Sequence, residues 1–122
     1  MIRQIMEVPS NIVAFQATGD VIKEDFEKVV FPAVQEVVDR EGVLNFLLLL
    51  ETEASNFTFG AWLEEAVLGL KEFFKWRRVA IVTDSESIIR FTLKFSIFAP
   101  GVFKGFLLTE FDQAVVWVAG QD

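Results

Sequence analysis

No cysteine and no histidine occur among the 122 residues. Without cysteine there is no disulfide, no thiol nucleophile and no thiolate metal site. Without histidine the usual general base near neutral pH is missing, and with it the Ser-His-Asp and Cys-His arrangements and the usual zinc ligands. Tyrosine is absent too, whereas phenylalanine occurs 14 times. Phe lacks the polar handle that lets Tyr sit half in water, so much of this aromatic mass belongs in a core, a cavity or an interface. No stretch approaches the roughly 20 uninterrupted apolar residues of a membrane span. The longest run, Val43 to Leu50, has the length of a strand. The N-terminal MIRQIMEVPSN lacks the apolar core and cleavage site of a signal peptide, and a cytoplasmic location is expected.

Catalysis by carboxylates, Lys or Ser-Lys pairs survives these exclusions, but no spacing marks it. Glu51 and Asp84 stand at the C-terminal ends of expected strands, where active sites gather. A solvated loop acid explains the first and a helix cap the second. No catalytic residue is therefore named, no cofactor is implied, and no clustered Asp/Glu set resembles a metal loop.

The chain has the length of one domain, residues 1–122, with a core of its own. Hydrophobic residues make up 52% and mean hydropathy is +0.41, both high for a soluble protein of this size. The net charge of −7 argues against nucleic acid as a partner. It is unevenly spread. Residues 1–61 hold 4 basic and 10 acidic side chains, whereas Lys71 to Lys104 hold 7 basic and 3 acidic.

Turn and period signals give the order β-β-α-β-α-β-α-β-α. Ile2 to Val8 and Ile12 to Ala17 form a hairpin around Pro9-Ser10-Asn11. Lys23 to Asp39 is an amphipathic helix that Pro32 should bend or split, with Gly42 as its C-cap. Val43 to Leu50 reads as a central strand covered on both faces. A helix over Phe57 to Lys75 follows, then a strand over Arg77 to Thr83. Asp84 or Ser85 caps the next helix, Ala99-Pro100-Gly101 stops it, and Val102 to Leu108 is the last strand. Thr109 caps a short terminal helix, with Asp112 three residues on. The expected architecture is α/β, with a mixed, largely parallel five-stranded sheet, an N-terminal β-hairpin and four helices.

The run IIRFTLKFSIFAP, Ile88 to Pro100, carries the sharpest clue. Drawn at about 100° per residue it has two apolar stripes. Ile88, Phe91, Phe95 and Phe98 form one, and Ile89, Leu93 and Ile97 form the other. Arg90 and Lys94 separate them on one side, Thr92 and Ser96 on the other. A helix on a small domain faces one core, so the second stripe needs another destination: a ligand cavity, a partner chain or a membrane surface.

The element order, together with NIVAFQATGDVIKEDFEKVVFPAVQEVV, LNFLLLLE, AWLEEAVLGLK and RRVAIVTD, resembles the SpoIIAA-like (STAS-like) bacterial proteins over nearly the whole chain. The resemblance implies a βα superhelix around a mixed five-stranded sheet. It also implies a regulatory role, since SpoIIAA proteins are anti-sigma-factor antagonists switched by phosphorylation of a Ser in a D-S-S-G-L-like segment. The corresponding region is Glu51 to Phe57, in which Ser55 is the only Ser and Asn56-Phe57 stand where Gly-Leu would follow. The same architecture resembles the CRAL-TRIO lipid-carrier domains.

Two functions are expected from different classes. The first is a non-enzymatic carrier of an apolar or lipid-like molecule, with transient, peripheral contact at the inner membrane. Phe59, Trp62, Phe73, Phe91, Phe95 and Phe98 would line its cavity, and Arg90 and Lys94 would meet a head group at its mouth. The second is a regulatory, homodimeric protein-interaction module of STAS type, with Ile89, Leu93 and Ile97 as interface and Ser55 as the phosphorylation position.

Overall fold

The computed structural model describes residues 1–51, 75–97, 99 and 101–120. Five strands form one sheet in the order β1-β2-β3-β4-β5: β1 (Ile2–Ile5), β2 (Val13–Ala17), β3 (Leu44–Leu50), β4 (Trp76–Val82) and β5 (Val102–Phe106). Only β1 and β2 are antiparallel, with Ile2 opposite Ala17 and Ile5 opposite Ala14. The other three pairings are parallel. The mixed, largely parallel sheet is as expected. The hairpin is shorter than its sequence suggests: β1 ends at Ile5, and the turn closes through Ile12 N–H to the Pro9 carbonyl at 3.2 Å.

Three α-helices of two turns or more are present among the described residues: α1 (Phe31–Glu41), α2 (Glu86–Ser96) and α3 (Phe111–Ala119). The fourth expected helix, over 57–75, lies outside the described residues but for its last position. Before α1 the chain makes a turn of helix at Lys23–Asp25 and then a π-helical stretch at Phe26–Val30. Pro32 accounts for that widening. It has no N–H to return to the preceding turn, and Phe31 N–H reaches five residues back to the Phe26 carbonyl. Gly42 ends α1 at φ 80°, a left-handed conformation that L side chains avoid, and its N–H bonds the Val38 carbonyl at 2.8 Å.

Strand order equals chain order, so right-handed crossovers carry α1 and α2 to the same face of the sheet. There, Val30, Val34 and Val37 from the first helical region and Ile88 from α2 pack on Phe15, Leu48, Ile81 and Phe103. α3 lies on the opposite face across β3 and β4, where Ala114 and Val118 meet Ala14, Leu47, Ala80 and Val82. The near-continuous apolar run of β3 follows from this double cover. A doubly wound sheet reverses its strand order and opens a crevice at the reversal; the parallel strands here run in sequence and have no such point.

Candidate functional site

α2 begins at Ser85, whose Oγ accepts Ile88 N–H at 3.3 Å. Ser85 is thus the cap, and Asp84 is exposed. Thr83 is buried; its N–H bonds the Phe106 carbonyl at 2.9 Å and its Oγ1 accepts Ser85 N–H at 3.2 Å. Glu51, the other acid at a strand end, receives the Gln16 side-chain amide, which in turn accepts from Arg3. Both strand-end acids are accounted for by surface position and local hydrogen bonding. Among the described residues no three Asp or Glu side chains cluster in a way that could hold a metal ion.

The face that α2 presents to the sheet is broader than one apolar stripe. Thr92 lies at its centre with 0% exposure, its hydroxyl donating to the Ile88 carbonyl at 2.8 Å. That bond satisfies the hydroxyl inside the helix and lets Thr92 serve as a small, core-compatible residue. On one flank Phe91 and Phe95 are half-buried, their ring centres 6.1 Å apart, and Phe95 meets Phe103 edge-on at 5.1 Å. On the other flank Ile89 sits over Gly105. A Cβ at Gly105 would come within 2.8 Å of Ile89 Cγ2, so the helix approaches β5 this closely only because residue 105 has no side chain.

Phe91 and Phe95 also begin a row of six rings. From Phe103 it continues to Trp76 at 5.5 Å, Phe46 at 5.4 Å and Phe15 at 5.5 Å, crossing from α2 over four strands. Both residues expected in a cavity wall are therefore engaged in ring packing on the first face of the sheet. The remaining expected lining residues, Phe59, Trp62, Phe73 and Phe98, lie outside the described residues, as does Ser55. Sequence reading missed Trp76, which is 5% exposed and whose buried Nε1 has no hydrogen-bond partner among the described residues.

What remains of the second stripe is exposed. Leu93 is 65% and Ile97 76% accessible. Arg90 and Lys94 border them in solvent, Arg90 lying 3.9 Å from Glu86. The structure thus separates the three expected interface residues: Ile89 turns toward the sheet, while Leu93 and Ile97 turn away from it.

The polar residues that matter most to the fold were also missed. Asn45, buried in the apolar run of β3, accepts from Arg77 Nη1 at 3.0 Å and donates to the Asn11 carbonyl at 3.2 Å. Asn11 donates its side-chain amide to the Ala119 carbonyl at 3.0 Å. Arg78 Nη1 reaches the Trp117 carbonyl at 2.6 Å, with its guanidinium 5.2 Å over the Trp117 ring. Two cations and an amide thus gather at the C-terminal end of α3, where carbonyls are left over and the helix dipole is negative. A register shift between β3 and β4 puts both arginines there: Leu44 faces Trp76 and Asn45 faces Arg78, leaving Arg77 as the extra residue.

No helix of the described residues is long and apolar enough to cross a membrane. No curated protein and no solved structure matches the chain. A family model described as SpoIIAA-like matches residues 12–119, from the residue before β2 to the last residue of α3, and the chain belongs to the SpoIIAA-like family.

Proposed function

We propose that the protein is a non-enzymatic regulatory module of STAS type that acts by binding another protein. One observation carries this reading: Leu93 and Ile97 stay in water on a helix whose other apolar residues are packed. Two large aliphatic side chains one turn apart on an otherwise well-seated helix are a small contact surface. Membership of the SpoIIAA-like family supports the same conclusion, because regulation through protein contact is what the resemblance implies. The carrier reading loses support from the two lining candidates in view, since Phe91 and Phe95 already have ring partners. The interaction reading does not need Ser55 as a switch.

The test compares cross-linked partners of the wild type and of the Leu93→Glu/Ile97→Glu variant in native cells, identified by mass spectrometry. Both side chains are exposed, so the variant should keep its stability to within about 0.5 kcal/mol per site. The expected result is a defined partner lost from the variant alone. Identical partner sets from two equally stable proteins would sink the proposal.

A further inference from the structure

We infer that the Leu93–Ile97 surface receives an amphipathic helix whose apolar stripe is bordered by Asp or Glu. This names the partner's chemistry and rests on the protein-interaction reading above.

Three observations narrow the occupant. The first concerns the sheet edge beside α2. The Phe106 carbonyl accepts from Thr83, so the even-numbered residues of β5 turn their peptide groups toward β4 and the odd-numbered ones turn outward. Of the outward N–H groups, that of Phe103 is taken by Ser96 Oγ at 2.8 Å and that of Leu107 by a Glu110 carboxylate oxygen at 2.8 Å. Only Gly105 remains between them. An added strand would find one open donor where it needs several, so the edge is guarded against strand addition. A partner must therefore bind through side chains, and two exposed aliphatics at i and i+4 suit the ridge of another helix.

The second observation is charge. The ionisable residues of α2 and β5 are Glu86, Arg90, Lys94 and Lys104. Arg90 has only a loose, exposed ion pair with Glu86, and Lys94 has no ion-pair partner among the described residues. Arg90 and Lys94 therefore border the apolar surface with positive charge, while Lys104 lies over Phe106 and Trp117 on the other face; the chain as a whole carries a net charge of −7. Complementarity calls for acids beside the partner's apolar stripe.

The third observation weighs the competing occupants. A second copy pairing antiparallel through the exposed residues would set Leu93 opposite the copy's Ile97, since Ile89 is taken up by the sheet. A two-fold axis normal to both helices keeps each flank on its own side, so both copies' Arg90 and Lys94 would line the same side of the seam. Four cations would share that side, with only each copy's Glu86, beyond Arg90, to offset them. An anionic bilayer would accept the cations, but it would repel a chain of net charge −7, and two protruding aliphatics bury little in it.

The experiment uses fluorescence anisotropy with a synthetic amphipathic helix of about five turns, bordered by Glu, and a matched peptide bordered by Lys. The Glu peptide should bind in preference to the Lys peptide and weaken as salt rises. Arg90→Glu/Lys94→Glu should weaken the Glu peptide by about tenfold and make the Lys peptide the tighter ligand. Leu93→Glu should weaken the Glu peptide as well. Absence of a Glu-over-Lys preference, or a preference that survives charge reversal, would overturn the inference. So would a dimer in sedimentation that Leu93→Glu dissolves, or flotation with phosphatidylglycerol-containing vesicles that the charge-reversed variant loses. If the Glu peptide fails while a native partner still depends on Leu93 and Ile97, the acid-bordered helix is wrong and the interaction reading stands.

Discussion

The two faces of the sheet are held by different physics. On the first, Phe15, Phe46, Trp76 and Phe103 stack in a row that two helical regions cover, and contact there is large and non-directional. On the second, Ala14, Ala80, Ala114 and Ala119 bring α3 close over small side chains, and Asn11, Asn45, Arg77 and Arg78 hold its C-terminal end. Burial scales with the area removed from water, so the aromatic face contributes most of the stability. Hydrogen bonds contribute less each but fix direction, so the alanine face depends on its polar end for the placement of one short helix. The row of rings also reaches α2 through Phe95, which ties the proposed contact surface to the more robust face.

Phe103→Ala is the strongest way to break this contrast. It removes a fully buried ring that touches both Trp76 and Phe95, and chemical denaturation should show a loss of about 3–5 kcal/mol. Arg78→Ala sharpens it. The variant loses a hydrogen bond to the Trp117 carbonyl and the stacking on its ring, for about 1–2 kcal/mol. Hydrogen exchange should then speed up at the end of α3 and stay slow in α1. Equal loosening on both faces would show that the polar end does not act locally. Trp76→Phe should have the smallest effect, within about 1 kcal/mol of the wild type, because the lost indole contact is offset by removing a buried N–H that has no acceptor among the described residues. A loss as large as that of Phe103→Ala would mean that the indole nitrogen has a partner in solution.

Much of the fold was legible because its signals are local. β2, β3, β4 and β5 fall where the apolar runs lie, the Gly42 cap is where the glycine stands, and Pro32 marks the disturbed helix. The features that escaped are set by pairing across the sheet. Asn45 looks like one polar interruption in a leucine run until the shifted register brings Arg77 to it. Trp76 precedes the obvious strand core, and only that same shift turns it into the aromatic row. The terminal helix shows a similar limit: Thr109 and Asp112 looked like its cap, but Glu110 is the side chain that reaches back, to Leu107 N–H. For α2 the periodicity revealed two stripes but could not say which sector met the sheet. Thr92 became the centre because its hydroxyl is satisfied within the helix, and Ile89 moved inward because the strand beneath it carries Gly105.

The agreement between strand order and chain order has a consequence for assembly. Each parallel strand pairs with the one made before it, so a chain emerging N-terminus first always adds to an edge that already exists. Each addition closes a single crossover, so no step carries more than one loop-closure cost. The second face is the exception. Its helical cover among the described residues is mainly α3, which follows all five strands in the chain. Until α3 leaves the ribosome, Leu47, Ala80 and Val82 have no cover from it. That interval is when a nascent chain of this protein is most exposed to association with its neighbours.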